Sequence, residues 1–170
     1  MALEKGVCRV AGTVMVEDAN QDTPYAYSPH ALARAIRTAL AAAVPRVPAL
    51  RRRRGWSFSV RLVGEAEARD FNARFRGKDY VPNVLSFPLD DGDYLGDLVV
   101  CVPVLAREAQ AQHKTMAAHA QHLVVHGLLH LLGYDHLAPA EADVMEALEI
   151  RILRDVGLHN PYIMPDGEQS

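Results

Sequence analysis

MAAHAQHLVVHGLLHLLGYDH, residues 116–136, reads as one apolar helix that ends in a cluster of histidines. Leu128, Leu129, Leu131 and Leu132 show that this helix is buried, and Thr115 just before it is a candidate cap. The helix is expected from about Met116 to Leu132. His126 and His130 lie four residues apart and so share a helix face, where their imidazoles can converge on one ion. A straight helix cannot also bring His136 to that ion. Gly133 permits the bend, because glycine accepts the left-handed conformation that ends helices. Three neutral imidazoles at about 2 Å from zinc leave a fourth tetrahedral position for water, the arrangement of a catalytic centre.

A single histidine on an apolar helix is more often a packed core residue than a ligand. Three at this spacing point to a metal, with the leucines as the dry wall that fixes the ligands. His119 and His122 continue roughly the same stripe towards the helix start. They could support the ligands, join them, or be ordinary buried polar residues. Zinc peptidases with the spacing HExxHxxGxxH carry a glutamate directly after the first histidine, where it takes a proton from metal-bound water. Here that position is Gly127, so the ligand spacing recurs without the peptidase base. Asp135 is better placed to orient a ligand or cap a turn than to replace it.

Around this helix the composition is that of an ordinary globular protein, 170 residues with 49% hydrophobic and 23% charged side chains. One domain over residues 1–170 is expected, with no repeat and no interdomain linker. No apolar run reaches the length of a membrane span and MALEKGVCRV lacks a signal-peptide core, so a cytoplasmic protein is expected. Cys8 and Cys101 carry no zinc-type spacing and read as reduced, structural thiols.

The net charge of −3 conceals an asymmetry. Twelve of the 18 Lys and Arg residues fall between Arg34 and Lys78 against three acids, a local balance of +9. Such a segment suits a phosphate backbone, since nucleic-acid affinity follows the patch and not the total. The run Arg51 to Arg54 reads equally well as a solvated turn.

Residues 7–16 are strand-like, and Ser28-Pro29 then reads as an N-cap with proline at the first helical position. Leu32, Ile36 and Leu40 carry a helix to about Ala43, which Pro45 and Pro48 stop, leaving the arginine run in a loop. Ser57 to Val63 alternates as a half-buried strand, and Glu65 to Phe75 returns to helix. Asn83 to Phe87 and Leu95 to Val102 are apolar strands joined through the acidic turn LDDGD, which suggests a hairpin. Helices follow from Pro103 to about Gln112 and from Pro139 to Val156, the last closed by Gly157. Strands and helices alternate early and helices dominate late, so a mixed sheet with helices on its faces is expected, an α+β fold.

The run from His119 through His122, His126 and His130 to His136 closely resembles the YbeY family of metal-dependent bacterial endoribonucleases, also called ribosomal RNA maturation factors. Phe75-Arg76-Gly77-Lys78-Asp79, Asn83-Val84-Leu85-Ser86-Phe87-Pro88 and Leu95-Gly96-Asp97-Leu98-Val99-Val100-Cys101 are similar to the family's upstream blocks, in order. Downstream, Met145-Glu146-Ala147-Leu148-Glu149 and Asn160-Pro161-Tyr162 fit as well. The resemblance implies a mostly parallel four-stranded sheet with one antiparallel strand and about five helices, the zinc site lying at the end of a central helix. It implies one Zn2+ per chain on His126, His130 and His136, with Arg76 as the functionally important arginine. It also implies cleavage of single-stranded RNA in 3′-end maturation of 16S ribosomal RNA and in ribosome quality control. The partners implied are ribosomal RNA and the small ribosomal subunit, with ribosomal proteins a further class. One departure is Pro82, where family members commonly have threonine; it removes a hydroxyl and a backbone donor. Two other readings stay open: a metallohydrolase with a different substrate, and a non-catalytic assembly factor that uses the metal for stability.

Overall fold

The structure, a computed structural model, describes residues 11–19, 29–135 and 137–163. Its described elements are β1 (Ala11–Asp18), α1 (Pro29–Ala43), α2 (Pro48–Arg51), β2 (Gly55–Val63), α3 (Glu65–Arg76), β3 (Val84–Asp91), β4 (Tyr94–Cys101), α4 (Val102–Ala111), α5 (Met116–Leu131) and α6 (Pro139–Asp155). The strands form one sheet in the order β1-β2-β4-β3. β1 runs parallel to β2 and β2 parallel to β4, while β3 pairs antiparallel with β4 as the expected hairpin. The expected α+β fold is therefore the observed one. The sixth helix is the four-residue α2.

Two apolar layers explain why the chain folds this way. β2 turns Trp56, Phe58, Val60 and Leu62 inward while Ser57, Ser59 and Arg61 face out of the core, the period-two pattern of a strand covered mainly on one face. Those inward residues meet Ile36 and Leu40 of α1, Val124 and Leu128 of α5, and Met145 and Ile152 of α6. On the other face Ala68 and Phe71 of α3 pack with Leu85, Val99 and Cys101.

α5 lies against the sheet through Gly127. A Cβ there would meet Leu98 Cδ2 at 2.9 Å and Ser86 Oγ at 3.3 Å, so the missing side chain is what lets helix and strands approach. Thr115 caps α5 as expected, accepting from the Ala118 N–H at 3.1 Å. At the other end Gly133 has φ +88° and the Tyr134 N–H returns to the Leu129 carbonyl at 3.0 Å, which stops the helix and turns the chain.

Pro48 does not simply stop α1. It also opens α2 at a helix start, where proline's missing N–H costs nothing. Arg51 thus ends a short helix, and Arg52 to Arg54 lead into β2. Cys101 is buried; Cys8 and Ser28 lie outside the described residues.

Candidate metal centre

The last turns of α5 bring His126 and His130 together. Their rings are 4.6 Å apart between centroids and their Nε2 atoms 3.0 Å apart. Two nitrogens held about 2 Å from one ion at a tetrahedral angle would stand about 3.3 Å apart, so this pair fits a shared cation closely. The third expected ligand, His136, lies outside the described residues. Among the described residues no three His, Cys, Asp or Glu side chains gather as a metal-binding group, so the geometry at hand is that of two ligands.

Behind His126 stands Glu149 of α6, fully buried. Its Oε1 is 2.6 Å from His126 Nδ1, its other oxygen accepts from the Tyr162 hydroxyl, and His122 Nε2 is 4.0 Å from it. Burial pushes the Glu149 carboxyl up, but the bonds from His126 and Tyr162 and the nearness of His122 outweigh it and hold the group below the usual carboxylate range. Burial lowers His122 to about 4, against the pull of Glu149, so this imidazole stays neutral near pH 7. His119 turns elsewhere: its Nε2 is 2.7 Å from Glu108 of α4, whose carboxylate also accepts from Asn83.

The histidine pair opens into a cleft of about 1070 Å³ between the end of α5, the edge strand β3 and the segment after α3. Arg76, the last residue of α3, lines the same cleft. Its Nη2 donates to the Ser86 carbonyl at 2.5 Å on the outer edge of β3, and its guanidinium carbon lies 5.8 Å from the centre of the Phe87 ring. A surface ion pair with Asp79 or Glu67 would have been the ordinary use of this arginine. Instead Asp79 is gripped by Arg69 at 2.7 and 3.0 Å, and Glu67 by Arg61 at 2.7 Å. The Arg69 bonds fix the segment that carries Lys78, which also faces the cleft, as do Pro82 and Asp135.

Part of the basic stretch is neutralised by ion pairs. Arg46 pairs with Asp155, Arg61 with Glu17 and Glu67, and Arg74 with Asp70. The run Arg51 to Arg54 does not line the cleft; Arg53 donates to the Gly92 carbonyl at the β3–β4 turn, at 3.1 Å. Gly127 leaves no room for the glutamate of the peptidase pattern, because a side chain there would run into Leu98 and Ser86.

In the sequence Glu149 and Tyr162 fall within the matching blocks, with no role assigned to either. A signal existed for Glu149. Met145, Leu148, Glu149 and Ile152 make one buried helical stripe, and an acid on such a stripe needs a partner.

The profile of the family described as Endoribonuclease YbeY matches residues 17–157. This chain belongs to the YbeY family. Among its YbeY relatives, the Endoribonuclease YbeY of Aromatoleum aromaticum is 59% identical over 105 residues, 61% of this chain and 68% of the relative. That of Stutzerimonas stutzeri is 55% identical over 121 residues, 67% of this chain and 76% of the relative. The solution structure of TM1509 from Thermotoga maritima has a TM-score of 0.55 at 21% identity, covering 93% of this chain and 100% of that one, which shows the shared fold. Among the described residues no helix is long and apolar enough to cross a membrane.

Proposed function

We propose that this YbeY-family chain is a single-strand-specific, metal-dependent endoribonuclease in which His126, His130 and His136 hold one zinc ion and Arg76 grips the scissile phosphate. The observation that carries the reading is the shared cleft: two imidazole nitrogens 3.0 Å apart open into the same cavity as a guanidinium with no carboxylate partner among the described residues. The relatives' name, Endoribonuclease, supplies the substrate class. A bound zinc ion would polarise a phosphoryl oxygen or lower the pKa of bound water to about 7.

The rest of the chemistry falls to this chain's side chains. His126, backed by Glu149, offers its Nε2 lone pair to the cleft. Arg76 keeps one N–H on the Ser86 carbonyl, and its remaining donors can take two phosphate oxygens as charge develops. Lys78 adds a second positive charge along the backbone path. The buried leucines of α5 keep the back of the site dry, which strengthens each of these interactions. The biological substrate proposed is the 3′ end of 16S ribosomal RNA, during maturation and quality control of the small ribosomal subunit in the cytoplasm.

The test is cleavage of a short single-stranded RNA by purified protein, with a chelator and with zinc restored. Loss with the chelator and recovery with zinc are expected. Equal cleavage throughout would overturn the reading.

A further inference from the structure

We infer that Glu149 and Tyr162 form a relay that sets the tautomer of His126, so that the segment beyond α6 completes the metal centre. This rests on the reading of His126 as a ligand.

A metal-binding imidazole must present a lone pair, and which nitrogen does so is decided by the hydrogen bond at the other. Glu149 is an acceptor, fully buried and 2.6 Å from His126 Nδ1, so the His126 proton sits on Nδ1 and Nε2 is left bare. For both Nε2 atoms, 3.0 Å apart, to face one ion, His130 must likewise carry its proton on Nδ1.

Glu149 could rotate or take up a proton if nothing held its second oxygen. The Tyr162 hydroxyl donates to that oxygen, from a chain that has left α6 and returned across the cleft wall. The Tyr162 N–H donates to Asn160 Oδ1 at 2.9 Å, which shapes the turn that aims the ring. The His122 ring, 6.1 Å from that of Tyr162 and edge-on to it, packs on the other side. Glu149 and Tyr162 are therefore positioning residues. Neither needs to touch substrate.

The experiment is a zinc competition titration against a chromophoric chelator, without RNA, on wild type, Glu149→Gln and Tyr162→Phe, alongside imidazole nitrogen NMR of the zinc-free proteins. Glutamine keeps the shape but can offer its amide N–H to Nδ1, which would favour the wrong tautomer. Zinc affinity should fall about 10- to 100-fold in Glu149→Gln, the scale for partners of metal-bound histidines. Tyr162→Phe should lose about three- to tenfold, the value of one hydrogen bond. Wild-type His126 should carry its proton on Nδ1, with the Nε2–H form rising in Glu149→Gln. Should Glu149→Gln fail to fold, Tyr162→Phe decides, since its ring remains. Zinc affinities within twofold of wild type, or a wild-type His126 protonated on Nε2, would overturn the relay while leaving the centre intact. A wild type that binds no zinc would overturn the centre itself, and the relay with it.

Discussion

Arg76 ends α3 with its guanidinium anchored on a strand-edge carbonyl rather than on an acid, so its charge is not cancelled by a partner carboxylate among the described residues. If it stabilises charge on the phosphate, Arg76→Ala should keep its zinc and fold and lose about 10²-fold or more in single-turnover cleavage, the scale for one preorganised donor. Arg76→Lys should recover part of that, because an ammonium keeps the charge without the two-pronged geometry. A cleavage rate for Arg76→Ala within twofold of wild type would remove it from the mechanism. His122 supplies a pH signature. It ionises near 6.5 when unfolded but stays neutral in the fold to about 4, so between those values the unfolded state holds more protons. Stability of chelator-treated protein should therefore fall as pH drops from about 6.5 to about 4, by at most about 3 kcal/mol from this residue. Glu149, held lower, adds its own loss only below about 4.5. Denaturant unfolding across pH should show a flatter slope in that window for His122→Asn.

α5 was the most legible element because its signals are local: the Thr115 cap, the apolar run and the Gly133 stop all fall within about twenty residues. β2 was legible for the same reason, through its alternation. Glu149 was not, since what it touches comes from His126, 23 positions back, and from Tyr162, 13 positions on. α2 was missed because proline both ends and begins helices, and a four-residue helix has no period to read. Gly127 is a point of close approach between α5 and the sheet. Gly127→Glu should destabilise the fold by about 1–3 kcal/mol or more, through overpacking against Leu98 and a buried carboxylate, and should not create a peptidase. Thermal unfolding and a casein assay check both halves.

Across the whole molecule, the charge asymmetry seen in sequence separates paired arginines, Arg53 at the β3–β4 turn, and the cleft residues Arg76 and Lys78. Sequence could place the +9 stretch but not say which of its cations meet distant acids, because partners such as Asp155 and Glu17 come from other elements. Each phosphate contact on a single strand contributes a salt slope of about 0.7. Replacing Lys78 with serine should thus lower the slope of RNA binding by about that amount, and replacing Arg51 to Arg54 should change it less per residue. A larger loss from the arginine run would move the RNA path to the hairpin turn. The central claim, that one metal held by the α5 histidines does the cutting, is tested most directly on His130→Ala. Zinc content and single-stranded RNA cleavage would be measured on the same folded sample. The account predicts that most of the zinc and nearly all of the cleavage are lost together; stoichiometric zinc, or cleavage within twofold of wild type, would contradict it.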